Sequence, residues 1–280
     1  MCYSIICSPT IQHPQEQNLP RLWWCLTGPL AFLPLHAAGI YPANGDDKVI
    51  CLADFAISSY TPTLSALAES QKPFRNAQGM RLLAVIQPDI PEPNSLPGTM
   101  KELAFIEQHT AKHQVLSTLV GTEVTLEKVV SAMGKCSWVH LACHGVQDLN
   151  TPTKSGFELG PDGDRLELSK IISKSIPCAD FAFLSACQTA AGDLDRPDEA
   201  IHLAAGMLSA GYHSVIATMW AISDNDAPSI ADDVYSYLLA DKEPSSQKAA
   251  EALHLAVQTL RKRHNSESFA SWVPFIHMGA

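Results

Sequence analysis

From Gly79 onward the chain alternates short apolar runs with amphipathic segments. Residues 81–87, with the unbroken apolar run Leu82 to Ile86, read as a strand. A helix over 99–112 follows, with Thr99 and Glu102 spaced as a capping box, and then a strand over 114–120. A helix over 125–133 and a third strand over 137–143 continue the order. Strand-helix-strand repetition predicts a parallel sheet, and strands without polar alternation predict burial on both faces. Residues 148–164 are turn-rich, with a short hairpin expected between 156–159 and 165–168 and a helix over 169–174. This excursion is expected to overhang the carboxyl edge of the sheet. The alternation resumes with a strand at 181–187, a helix at 198–210 ending at Gly211, a strand at 213–220, helices at 226–239 and 246–263, and a sixth strand at 272–277.

The first part of the chain is less regular. Residues 1–20 are polar and proline-containing and are expected to be a flexible lead-in. The runs 22–26 and 30–35 predict two strands joined as a hairpin at Thr27-Gly28-Pro29, 49–59 is β-prone, and 63–70 carries a helical stripe. The expected organisation is one unit over 21–280, with an N-terminal subregion at 21–78 and a regular α/β core at 79–280.

Charge narrows the partners. A formal net charge of -10 without any compensating basic run argues against nucleic acid or an anionic membrane and suits a basic peptide. The eight cysteines form no CxxC pair and sit mostly in apolar runs, which points to a reducing compartment. The apolar stretch 22–41 is interrupted by Gly28, Pro29, Pro34 and His36 and predicts no membrane span, and no secretory leader is read at the start. Cytoplasm is the expected location.

Candidate chemistry lies where two strands stop at reactive side chains, His144 after Val139 to Ala142 and Cys187 after Phe181 to Leu184. In neighbouring parallel strands both would reach the carboxyl edge, where open α/β sheets place their sites. A histidine within hydrogen-bond reach lowers a thiol pKa and later protonates a leaving amine, so the pair suits a cysteine nucleophile with a histidine base. The backbone N–H groups of Gly145 and Cys187 are the candidate oxyanion hole. The pattern alone favours a core thiol and a hydrogen-bonded loop histidine. Asp193, Asp195, Asp198 and Glu199 read as a solvated acidic loop, and His36 as a structural histidine. His140, Cys143, His144 and Cys187 match no zinc spacing, so no metal and no cofactor are expected. No Gly-x-Ser-x-Gly elbow is present, which excludes a serine α/β hydrolase.

His144-Gly145 after one apolar strand and Leu184-Ser185-Ala186-Cys187-Gln188-Thr189 after the next resemble the CHAT family of caspase-like and separase-like cysteine peptidases. Ser214 to Asp224, Leu208 to Gly211, Trp272 to Gly279, Gly28 to Gly39, Ser59 to Thr63 and Leu96 to Thr99 are similar to further segments of that family, most of all to fungal members. The resemblance implies a caspase-like α/β three-layer sandwich with a mostly parallel six-stranded central sheet. It also implies a dyad in which His144, rather than His140, is the base and Cys187 the nucleophile, with His140 a core or supporting residue. In separase-like members an acidic residue shortly after the fifth-strand tryptophan receives a basic substrate side chain. Asp224 and Trp220 are thereby the candidate substrate-binding residues, while Asp224 also suits the N-cap of the helix at 226. The implied function is a cysteine endopeptidase acting on a protein or peptide, regulated by a repeat or sensor partner. The alternative is a catalytically silent caspase-like scaffold.

Overall fold

The structure, a computed structural model, describes residues 19–28, 30, 33–41, 49–72, 79–88, 96–146, 148, 151–160, 164–174, 176–185, 199–220, 222–264 and 268–280. Five strands run in one direction through its centre: β5 (Leu82–Ile86), β6 (Leu116–Val120), β7 (Trp138–Ala142), β11 (Phe181–Leu184) and β12 (Ser214–Thr218). β13 (Phe275–Gly279) pairs antiparallel with β12, and β4 (Ile57–Tyr60) and β1 (Arg21–Trp24) extend the sheet parallel to β13. The order is β1-β4-β13-β12-β11-β7-β5-β6, and β2 (Gly39–Ile40) and β3 (Ile50–Cys51) form a separate two-stranded sheet.

Alternate residues of each strand enter opposite cores, as period-two geometry requires. Leu83, Val85, Val139, Leu141, Ala182 and Leu184 pack on one face with α3 (Leu126–Met133), α4 (Leu168–Ser173) and α5 (Glu199–Ser209). Leu82, Ala84, Ile86, Trp138, Phe181 and Phe183 pack on the other with α2 (Gly98–Thr110), α6 (Asp226–Leu238) and α7 (Ala249–His264). The result is the expected three-layer caspase-like sandwich, with eight strands in place of six.

The two additional strands come from the irregular first part. Among the described residues, 22–26 do not pair with 30–35; β1 pairs with β4, and Leu35 begins a 3-10 turn, Leu35–Ala37. Side chains favour the distant partner: Trp24 Nε1 donates to Ser58 Oγ at 3.1 Å, and Arg21 to Ser59 Oγ at 2.8 Å. The helix at 63–70 forms as α1 (Leu64–Ser70), with Thr63 accepting from the Ala66 N–H as its N-cap. Trp272 closes a short helix, α8 (Phe269–Trp272), so the last strand begins later than its apolar run.

The expected hairpin forms from β9 (Gly156–Glu158) and β10 (Arg165–Glu167), and β8 (Gly145–Val146) joins it to make a three-stranded sheet. Gln87 Nε2, just beyond β5, donates to the Leu159 carbonyl at 3.0 Å and ties this sheet to the carboxyl edge.

Candidate active site

The chain leaves β7 at Ala142, bends through Cys143 and His144, and enters β8. His144 is buried at this exit, and its carbonyl accepts from the Glu158 N–H at 2.8 Å. That bond makes His144 and Glu158 a hydrogen-bonded pair of the antiparallel ladder. Gly145, opposite Phe157, is then a non-hydrogen-bonded position whose N–H points away from β9, on the outer edge of the small sheet.

Cys187 lies outside the described residues, as do Asp193, Asp195 and Asp198; of Glu199 only the backbone is described. The strand leading to Cys187 is described. β11 lies beside β7 in parallel, with Leu184 level with Leu141. His144 and Cys187 each follow three residues after that pair in the sequence.

His140 faces the opposite core from Cys143, among α2 and α6, and is fully buried. Its ring stacks on Phe183 with centroids 4.9 Å apart, its Nδ1 lies 3.1 Å from the Tyr235 hydroxyl, and its Nε2 lies 3.0 Å from Glu102 Oε2. The last contact does not form a hydrogen bond. Burial, and secondarily the nearby Glu102 carboxyl, push the Tyr235 phenol well above its ordinary pKa.

Glu102 was expected to close a capping box with Thr99, and it does not. The Thr99 hydroxyl donates to the Leu96 carbonyl at 2.7 Å, and Glu102, 1% exposed, turns inward to accept from Ser185 Oγ at 2.9 Å. The first N–H of α2, on Gly98, is taken by Asp224 Oδ2 at 2.7 Å. Asp224 therefore does not cap α6. That helix is preceded by Asn225 without a side-chain cap bond, and its Asp226 pairs with His264 at 2.9 Å.

Asp224 is half-buried, four residues beyond Trp220, which packs against both cores. Trp220 also lines an apolar cavity of about 410 Å3 with Leu35, Ala38, Tyr41, Phe269 and Val273. Among the described residues no cluster of three or more histidine, cysteine or acidic side chains could hold a metal, and no helix is long and apolar enough to cross a membrane.

The sequence suggests for Glu102 only a capping role, and assigns no role to Ser185 or Tyr235. A signal existed for Glu102, since it occupies the same helical stripe as the buried Thr99, Leu103, Ile106 and Thr110.

The family model for the CHAT domain matches residues 2–280. A search among curated proteins finds no match. Among solved structures, the chain resembles the Arg-specific cysteine proteinase gingipain R, with a TM-score of 0.54 and 11% identity over 79% of this chain and 53% of that one. It is similar also to the pro- and mature-domain complex of Porphyromonas gingivalis RgpB, with a TM-score of 0.53 and 11% identity over 80% of this chain and 55% of that one. A third neighbour is the Saccharomyces cerevisiae separase–securin complex, with a TM-score of 0.54 and 12% identity over 82% of this chain and 14% of that one. At these identities the likeness is one of fold, and the chain spans about half or less of each neighbour.

Proposed function

The chain belongs to the CHAT domain family, and on that premise we propose that it is a cysteine endopeptidase with His144 as base and Cys187 as nucleophile. The observation that carries this reading is the register of β7 and β11. Two adjacent parallel strands are level at Leu141 and Leu184 at the carboxyl edge, and in the sequence His144 and Cys187 each follow three residues later.

In the proposed reaction His144 takes the proton of the Cys187 thiol, and the thiolate attacks the peptide carbonyl. The tetrahedral oxyanion is met by the Gly145 N–H, which the ladder turns away from β9, and by the N–H of Cys187. The imidazolium of His144 then protonates the leaving amine as the C–N bond breaks. Water, deprotonated by His144, hydrolyses the thioester and regenerates the thiol.

Asp224 and Trp220 are proposed to receive the substrate side chain, with a basic residue favoured. The Asp224 carboxylate supplies a charge-assisted partner, the net charge is -10, and one structural neighbour is described as Arg-specific. A regulatory partner is proposed on a similar footing, since two of the neighbours are complexes, with a pro-domain and with securin.

The test is cleavage of a randomised peptide library by the wild type, Cys187→Ala and His144→Ala, with thermal unfolding measured alongside. Both variants are expected to fold like the wild type and to lose cleavage. A Cys187→Ala protein with undiminished turnover would sink the proposal, and a folded wild type inert toward every peptide and protein offered would favour the scaffold.

A further inference from the structure

One carboxylate bridges the two strands that lead to the dyad. Glu102 Oε1 accepts from Ser185 Oγ at 2.9 Å, and Oε2 lies 3.0 Å from His140 Nε2. Ser185 follows β11 and precedes Cys187 by two residues; His140 lies in β7 and precedes His144 by four. Among the described residues the paired positions of β7 and β11 end at Leu141 and Leu184. Glu102 acts there, from a third element, α2.

The bridge is buried and expensive to build. Glu102, His140, Tyr235 and Ser185 are 1%, 0%, 0% and 3% exposed. Burying a carboxyl group away from water is costly, so what its oxygens meet there matters. Oε1 accepts a hydrogen bond from Ser185, on the Cys187 side, and Oε2 lies beside His140 of the His144-bearing strand without forming a hydrogen bond. An apolar side chain of similar volume on α2 would pack the core as well but would tie neither segment.

We infer that Glu102 is a positioning residue, which with Ser185 and His140 sets the spacing between the His144 and Cys187 segments. The inference rests on the dyad reading. Catalytic geometry must hold within about 0.5 Å, and a displacement of about 1 Å can cost roughly 100-fold in rate. Loss of the bridge should therefore lower kcat and weaken the His144–Cys187 interaction without altering substrate binding.

The milder variant is Ser185→Ala, which removes only the donor on the Cys187 side; Glu102→Gln keeps the shape and an acceptor but removes the charge. The full chain is treated with iodoacetamide across pH 5–9, and modification at Cys187 is followed by peptide mapping. His144→Ala serves as reference, and kcat, KM and thermal midpoint are measured in parallel. Ser185→Ala is expected to shift the pH profile of Cys187 alkylation toward that of His144→Ala and to lower kcat about 10- to 100-fold, with KM within about twofold. Glu102→Gln should fall between wild type and Ser185→Ala. If His144→Ala shifts the profile and Ser185→Ala does not, the dyad stands and the positioning role is overturned. A lowered thermal midpoint with unchanged kcat and alkylation overturns it as well, leaving a purely structural bridge. If His144→Ala itself leaves the profile unchanged, the dyad reading fails and takes the inference with it.

Discussion

The Gly98 backbone N–H donates to the Asp224 carboxylate across 2.7 Å, joining residues 126 positions apart in sequence. The first N–H groups of a helix have no partner within it, and a carboxylate there is also favoured by the helix dipole. The loop after β12 thus supplies the cap that Pro97 cannot, and α2, which carries Glu102 one turn further on, is seated by the residue proposed to meet the substrate.

Asp224→Asn separates the two roles of that side chain. The amide oxygen still accepts from Gly98, so folding should be nearly unchanged. Loss of a charge-assisted hydrogen bond, about 1.5–3 kcal/mol, should raise KM for peptides with arginine or lysine at the cleaved bond by roughly 10- to 100-fold. Steady-state kinetics on matched basic and neutral peptides measures this, and an equal change for both would remove Asp224 from the pocket.

Gly98→Ala should destabilise the fold. A methyl group at this position would fall within the contact radius of the Asp224 carbonyl and carboxyl atoms, and backbone does not yield like a flexible side chain. The expected cost is about 1–3 kcal/mol, read from urea unfolding, as for other overpacked sites. Unchanged stability would mean that the 224 loop moves freely.

Asp180 gathers Trp138 Nε1 at 2.8 Å and Ser246 Oγ at 2.6 Å, tying β7 to the turn before α7. Burial pushes its carboxyl pKa up, and these two donors pull it back. Ser246→Ala should cost about 1–3 kcal/mol in urea unfolding, because it strips a partner from a buried carboxyl group. Trp138→Phe should be less than additive with it, since both act on one acceptor.

His36 should make stability fall on acidification. Its Nδ1 lies 2.7 Å from the Tyr60 hydroxyl and its Nε2 2.9 Å from the Val273 carbonyl, an arrangement that suits the neutral ring. Burial lowers its pKa from 6.5 to about 4, against a smaller opposing effect of the Val273 hydrogen bond. Between those values the unfolded chain binds a proton that the fold refuses. The contribution is therefore complete above about pH 6.5 and is lost as pH falls to about 4, to a total of about 3 kcal/mol. Buried His277, between Ser59 and Ser214, shifts in the same direction. Urea unfolding from pH 7.5 to 4.5 should show a steeper loss for the wild type than for His36→Gln, and parallel slopes would refute the assignment.

The alternation from Gly79 onward was enough to read the parallel core, because apolar runs and helical stripes are local signals that burial on both faces of a sheet enforces. The caspase-like class and the choice of His144 and Cys187 followed from the resemblance to a known family that motifs along the chain carry. β1 was visible as a strand, but its partner was not. Pairing with β4 rests on Trp24 and Arg21 meeting Ser58 and Ser59, which no turn signal near residue 28 announces. Glu102 and Asp224 show the same division. Each sits at a spacing that suggests a local cap, and each instead satisfies a group far along the chain, because a buried carboxylate goes to whichever donors the packed core leaves without water. The sequence by itself determined which strands exist and which side chains end them. Only the tertiary structure decided what spans the gap between them, since hydrogen bonds between distant segments arise from packing and leave no periodic trace.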